Sequence, residues 1–354
     1  MATMKDYSNL EESFESRKSF RKERKRVQNA DRSQFKKTDQ NKNFLTPTAP
    51  VESAIKRGRV IGISSSGVKV DCEGEVINSA LRGTLKQKRL EQTRILAVGD
   101  FVWLDDRGQI TSIEPRFSKL VRADNLRKNK EQILCANIDQ VLITVSPHEP
   151  ELKPALIDRY IIAARKGNMA PIVVVNKIDL LPTPPVLDIL ESIYTEQGIP
   201  FIRVSSLKKI GIEKLRAVMK GKASVFSGQS GVGKSSLINA LTGLQLRVSE
   251  EMTKANKGGH TTTHAALLPI GESGFCVDTP GIKSFALWKI SLEELSSYFQ
   301  DLQDFGNLCK YEDCTHLHEP DCAVKKAVDE GKIPKIRYES YVSLHDEDPN
   351  HSRA

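Results

Sequence analysis

The stretch GQSGVGKSS, Gly228 to Ser236, restricts the fold of this chain more than any other. It fills the pattern G-x-x-x-x-G-K-S with Gly228, Gly233, Lys234 and Ser235, and Gly231 adds a further glycine. Backbone N–H groups can close on phosphate oxygens in this way only where a loop joins the end of a strand to the start of a helix. Both flanks are present: the apolar run ASVFS, Ala223 to Ser227, comes before the loop, and the amphipathic SSLINAL, Ser235 to Leu241, follows it. The backbone of Gly228, Gln229, Ser230, Gly231, Val232 and Gly233 would then face phosphates. Lys234 would reach the β and γ oxygens, and the Ser235 hydroxyl, next to Ser236, would take Mg²⁺.

A phosphate loop does not choose a base. The segment PIVVVNKIDLLPT, Pro171 to Thr183, carries N-K-x-D as Asn176, Lys177, Ile178 and Asp179 at the end of an apolar run. A carboxylate there can accept from the ring N–H and the exocyclic amino group of guanine, a donor pair that adenine lacks. Asn176 and the Lys177 stem would brace the loop and cover the base. The next strand end, VSS with Ser205 and Ser206, could offer a backbone N–H to the guanine oxygen. The base-reading segment precedes the phosphate loop by about fifty residues.

Downstream, DTPG follows the apolar GFCVD, which places Asp278 to reach Mg²⁺ through water and Gly281 to sense a γ-phosphate. Between the two lies KGGHTTTH, Lys257 to His264, where Thr261, Thr262 or Thr263 could coordinate Mg²⁺. Ile282 follows Gly281, where Ras has a water-orienting glutamine. An apolar side chain cannot orient water, so His260 is the candidate for that task. His260, Lys234 and Ser235 are the expected catalytic set.

Six cysteines are present. Cys72, Cys135 and Cys276 sit among apolar neighbours, as small buried side chains do. The others form Cys309-x4-Cys314-x-His316-x5-Cys322. Three thiolates and an imidazole make a closed tetrahedral set, which is the chemistry of a structural zinc rather than a catalytic one. His318 lies near enough to rival His316.

Around these motifs the texture changes several times. Residues 1–52 are polar and basic, with seven of ten residues from Arg17 to Arg26 being Lys or Arg, and are expected to form a disordered arm that meets phosphates without folding. Residues 53–122 alternate Val and Ile between turns at SSSG, CEG and DDRG. That spacing predicts a small antiparallel barrel of about five strands, of OB or SH3 type. Residues 123–288 alternate buried strands with helices, as a doubly wound parallel sheet does. Residues 289–354 open with a Ser291–Glu294 capping box and a helix through LEELSSYFQDLQ, pass the Cys/His cluster, and end in a helix around AVKKAVDEG and a charged tail. The net charge of +8 favours a polyanionic partner. No apolar run approaches the roughly 20 residues of a spanning helix, and the polar start lacks a secretory signal, so a cytoplasmic chain with no membrane role is expected.

The motif order NKID, VSS, GQSGVGKSS, GGHTTT, DTPG and C-x4-C-x-H-x5-C, behind a small barrel, resembles the circularly permuted GTPases of the RsgA (YjeQ) type that assist small-ribosomal-subunit biogenesis. The resemblance runs from about Arg57 to the final helix and departs at Gly259, where a basic residue is expected before the histidine. It implies an N-terminal OB-fold barrel, a permuted P-loop α/β GTPase domain and a C-terminal zinc-binding helical domain. It further implies GTP turnover with Mg²⁺, one structural zinc on Cys309, Cys314, His316 and Cys322, and stimulation by the small subunit and its rRNA. A monomer is expected. The alternative is an RNA-binding assembly factor that holds GTP as a static ligand.

Overall fold

The computed structural model describes residues 56–64, 67–81, 95–123, 131–180, 184–243, 266–270, 274–278 and 292–346. The expected arm, the KGGHTTTH segment with His260, Thr261 and Thr262, the Gly281 position, the Ser291 cap and the last eight residues lie outside them.

Five strands come first: β1 (Lys56–Ser64), β2 (Gly67–Cys72), β3 (Glu75–Ser79), β4 (Phe101–Leu104) and β5 (Ile110–Ile113). They pair antiparallel in the order β5-β4-β1-β2-β3. The Ile110 N–H donates to the Ala80 carbonyl at 2.9 Å, and a parallel bridge between Leu81 and Ile110 brings β5 round to the end of β3. The alternating Val and Ile of the sequence point inward, where Val60, Val70, Val102, Leu104 and Ile110 form a closed apolar core. A hairpin that the sequence pattern did not announce, β6 (Lys119–Ala123) with β7 (Glu131–Ala136), follows. The expected boundary at 122/123 lies at the end of β6.

The alternating region then runs β8 (Gln140–Val145), α1 (Pro154–Lys166), β9 (Ala170–Val175), α2 (Val186–Glu196), β10 (Phe201–Arg203), α3 (Ile212–Met219), β11 (Ala223–Ser227), α4 (Lys234–Thr242), β12 (Ala266–Ile270) and β13 (Gly274–Asp278). Every residue of β8 and β11 is buried, which is why these strands read as unbroken apolar runs. Val141, Ile143 and Val145 pack with Ile157, Ile161, Leu187 and Leu190 of α1 and α2 on one face of the sheet. Leu142, Val174 and Phe226 pack with Leu215, Leu237 and Leu241 of α3 and α4 on the other. Each helix therefore buries one stripe and the sheet both faces.

The strand order is β10-β9-β8-β11-β13-β12-β1-β2-β3, with β8 to β11 and β13 parallel and β12 antiparallel to β13. Thus β10, at the edge, and β11, in the centre, are consecutive in the chain. They are joined through α3 and the short link Lys220–Lys222.

The C-terminal part is helical: α5 (Leu292–Ser297), α6 (Gln300–Gly306), α7 (Ala323–Asp329) and α8 (Lys335–Asp346). Two expectations are corrected here. The helix read through LEELSSYFQDLQ is broken at Phe299, whose backbone leaves the helical region (φ −106°, ψ 72°). Its ring is buried edge-on against Tyr341, 5.4 Å between centroids, beneath the Arg337 guanidinium. The helix at AVKKAVDEG is not the last, because α8 follows and packs on α1. Among the described residues no helix is long and apolar enough to cross a membrane.

Candidate functional site

Strands β8, β9, β10, β11 and β13 point the same way, so their carboxyl ends share one edge of the sheet. Four of the motifs singled out in this region follow one of those ends: NKID after β9, VSS after β10, the glycine loop after β11 and DTPG at the end of β13. The edge where strand order departs from chain order is where open α/β sheets bind ligands.

Asn176 is the centre of the cleft. It is fully buried, its Nδ2 donates to the Val232 carbonyl of the glycine loop at 2.9 Å, and its Oδ1 accepts from the Ser206 N–H at 3.1 Å. One side chain thus ties together the three loops after β9, β10 and β11. Gly233 (φ 88°) must be glycine, since a Cβ would stand 2.3 Å from Asn176 Nδ2. Gly228 (φ 147°) is equally constrained, by the Thr144 carbonyl 2.0 Å from its Cβ position.

Lys234 begins α4, with its Nζ donating to the carbonyls of Gly228 and Gln229 at 2.8 and 2.6 Å. Ser235 and Ser236 follow in the first turn, behind the left-handed Gly233. At the other end of the cleft the buried Ser205 hydroxyl donates to Asp179 Oδ1 and accepts from the Lys208 N–H at 3.0 Å. The Ser205 hydrogen bond, with Lys208 and Lys177 nearby, holds the Asp179 carboxyl below the usual carboxylate range. Ile178 is half-buried, and its N–H donates to the Val204 carbonyl at 3.3 Å. Asp278 ends β13, and Val277 stands level with Val225 of the phosphate-loop strand.

The loop after β8 also belongs here, which the motif search missed. Lys177 Nζ donates to the Glu149 carbonyl at 2.9 Å, and Pro150 lies 3.7 Å from the Gly231 Cβ position. Its only signal in the sequence is its place after a buried strand that shares the carboxyl edge.

The ligand atoms of Cys309, Cys314, His316 and Cys322 all lie within 4.8 Å of one another. Cys309 Sγ is 3.8 Å from Cys322 Sγ, and His316 Nδ1 is 3.6 and 3.5 Å from these two sulfurs. A tetrahedral ion at ordinary Zn–S and Zn–N lengths requires edges of about 3.8 Å for S to S and about 3.6 Å for S to N. His316, in a left-handed backbone (φ 65°), enters the group, and the exposed His318 does not. The Glu319 carboxylate accepts from the Thr315 N–H and hydroxyl and the Leu317 N–H, at 2.8, 2.6 and 3.1 Å. Burial alone would raise the Glu319 carboxyl, but these hydrogen bonds outweigh it and bring the pKa down to about 2. Tyr338 and Tyr341 of α8 donate to the carbonyls of His316 and Thr315 at 2.8 and 3.0 Å.

Comparison with known proteins agrees with this arrangement. The family described as RsgA GTPase matches residues 113–288. A small ribosomal subunit biogenesis GTPase RsgA of Bacteroides fragilis is 37% identical over 284 residues, covering 78% of this chain and 91% of that protein. The one from Gemmatimonas aurantiaca is 39% identical over 282 residues, with the same coverage. The chain belongs to the RsgA GTPase family.

Two solved structures share its fold. The crystal structure of YjeQ from Thermotoga maritima superposes with a TM-score of 0.66 at 36% identity, covering 82% of this chain and 98% of that one. YloQ, described as a circularly permuted GTPase, gives 0.62 at 29%, covering 83% and 96%. The permutation is visible in this RsgA-family chain as the passage from the edge strand β10 through α3 straight into the central β11. The cut leaves the carboxyl edge intact, because the same strands lie side by side whichever connections join them.

Proposed function

We propose that this chain is a GTP hydrolase that binds the small ribosomal subunit and assists its late maturation, with turnover stimulated by the subunit. The observation that carries the GTP reading is Asn176, which locks the Asp179 loop, the Ser206 loop and the phosphate loop into one cleft. Within it Asn176, Lys177, Ile178, Asp179, Ser205 and Ser206 take guanine, and Gly228 to Ser236 take the phosphates. Thr261, Thr262, Asp278 and Gly281 complete the γ-phosphate side.

Ser235, in the first turn of α4, and Asp278, closing a strand beside β11, stand at the same sheet edge and would hold Mg²⁺, directly and through water. The ion supplies charge neutralisation between the β and γ oxygens. Lys234 brings a fixed cation to the same oxygens, and His260 orients the attacking water in place of the glutamine that Ile282 displaces. Cys309, Cys314, His316 and Cys322 would hold one structural zinc, whose tetrahedral edges the separations among Cys309, His316 and Cys322 fit.

The parallel closure of β5 onto β3 supports an OB-fold barrel in residues 53–122, ahead of a permuted GTPase domain in 123–288 and a zinc domain in 289–354. The relatives' names carry the partner, and the net charge of +8 suits rRNA. The basic arm, residues 1–52, would add phosphate contacts. The chain is read as a cytoplasmic monomer.

The deciding experiment measures GTP hydrolysis with and without purified small subunits. Binding with acceleration supports the reading. Binding without turnover would make GTP a static ligand, and neither would refute the role altogether.

A further inference from the structure

Strand β1 belongs to two structures at once. Over Lys56–Arg59 it pairs with β4 of the barrel, and past a bulge at Ile61 its Gly62 pairs with Ala266 of β12. Ala266 is in turn level with Asp278 at the end of β13. Gly62, Ala266 and Asp278 therefore form one rung, which runs from the barrel through the strand that emerges from KGGHTTTH to the strand that ends in DTPG. The bulge is what re-aims β1 from one partner to the other.

Arg59, three residues before the rung, reinforces it. Its Nη2 donates to the Asn137 carbonyl at 2.6 Å, and its guanidinium stands 5.1 Å from the Phe101 ring of β4 and 5.3 Å from the Phe275 ring of β13. Asn137 itself is buried and donates from Nδ2 to the Gly99 carbonyl of the barrel at 3.1 Å. A rigid planar cation between two aromatic rings, one on each side of the joint, resists sliding of the barrel against β13.

We infer that Arg59 and the Gly62–Ala266–Asp278 rung couple the barrel to the nucleotide cleft, so that a small subunit bound at the barrel would set the position of β12 and β13 and thereby the rate of hydrolysis. The inference rests on the function proposed above. Arg59 is a positioning residue: it touches neither nucleotide nor metal and acts through Phe275 and β13. Because the rung ends on Asp278, at the γ-phosphate side of the proposed site, the nucleotide state should also register in β1.

The test uses the full chain with purified small subunits and the variants Arg59→Ala, Arg59→Lys and Phe275→Leu. Arg59→Ala and Phe275→Leu are expected to lose about tenfold in subunit-stimulated kcat, with KM for GTP, the unstimulated rate and subunit affinity within about twofold of the unaltered chain. Arg59→Lys, which keeps the cation, should recover part of the loss. Full stimulation in both variants, or a loss that follows subunit affinity, overturns the coupling. If Arg59→Ala does not fold, Phe275→Leu decides, together with amide exchange in the unaltered chain. There, residues 58–64 should exchange differently with GDP and with a non-hydrolysable GTP analogue, and identical exchange overturns the inference. Should the unaltered chain show no stimulation by the subunit, the functional reading has failed, a result distinct from unaffected variants.

Discussion

Arg337 of α8 and Asp158 of α1 form an ion pair in which both side chains are 3% exposed. The guanidinium also donates to both oxygens of Asp301, through Nε at 2.7 Å and Nη2 at 3.0 Å, and lies 4.3 Å from the Phe299 ring centroid. Asp158 accepts from the Tyr194 hydroxyl of α2 at 3.0 Å. Burial pushes the Asp158 carboxyl up, and Arg337 and Tyr194 pull it part of the way back. One residue of α8 thus pins the Cys/His-cluster region to two helices that cover the sheet.

Removing one member of such a pair leaves a buried charge without compensation. Arg337→Ala should therefore cost about 3–5 kcal/mol of stability, measured by denaturant unfolding. Replacing Arg337 and Asp158 together by apolar residues of similar volume should cost less than the single change. Equal losses would show that the ion pair is not what holds the joint.

Asp179→Asn should lower GTP affinity at least about a hundredfold, since the amide cannot accept from both guanine donors. Xanthine nucleotide should gain in its place. Ser205→Ala removes the donor to Asp179 and should weaken GTP binding by less, with the carboxyl pKa rising toward its ordinary value. Competition binding with GTP and its xanthine analogue checks both, and unchanged GTP preference in Asp179→Asn would remove the base-reading role.

Metal analysis should find one zinc per chain, lost in Cys314→Ser. Glu319 supports the ligand loop through its three accepted hydrogen bonds, so Glu319→Gln should weaken metal retention against a chelator. With a folded pKa of about 2 against an ordinary 4.5, the ionised Glu319 contributes stability that is fully present above pH 4.5. That contribution is lost as pH falls toward 2. The stability gap between the unaltered chain and Glu319→Gln should accordingly close over that window, read from thermal unfolding at stepped pH.

His260→Ala should leave GTP affinity within about twofold and reduce subunit-stimulated turnover by about 10²-fold, the scale of a lost water-positioning group. Single-turnover hydrolysis with saturating subunit separates the two effects. Equal rates would take His260 out of catalysis.

The motifs from which the chemistry of the cleft is proposed were legible in the sequence because such motifs depend on residue type at short spacing. Gly228, Gly233, Lys234, Asn176 and Asp179 stand in loops of a few residues, and Cys309 to Cys322 in a single loop, so local order along the chain dictates local geometry. The strands were legible for a similar reason: β8 and β11 are buried on both faces and read as continuous apolar runs. The helix α8 was not, because it is held largely by polar side chains, Arg337, Tyr338 and Tyr341, whose partners lie elsewhere in the chain. Phe299 likewise breaks a helix that its own segment favours, because burial under α8 outweighs local propensity.

By itself, then, the sequence supplied the motifs on which the proposed chemistry rests, placed NKID ahead of the glycine loop, and indicated a run of short antiparallel strands before both. Only the tertiary structure decided how these parts are joined. That Gly62 pairs with Ala266, and Arg337 with Asp158, follows from strand register and from the burial of side chains more than 170 residues apart. Contacts of that range are set by the packing of whole elements, and no short spacing along a chain encodes them.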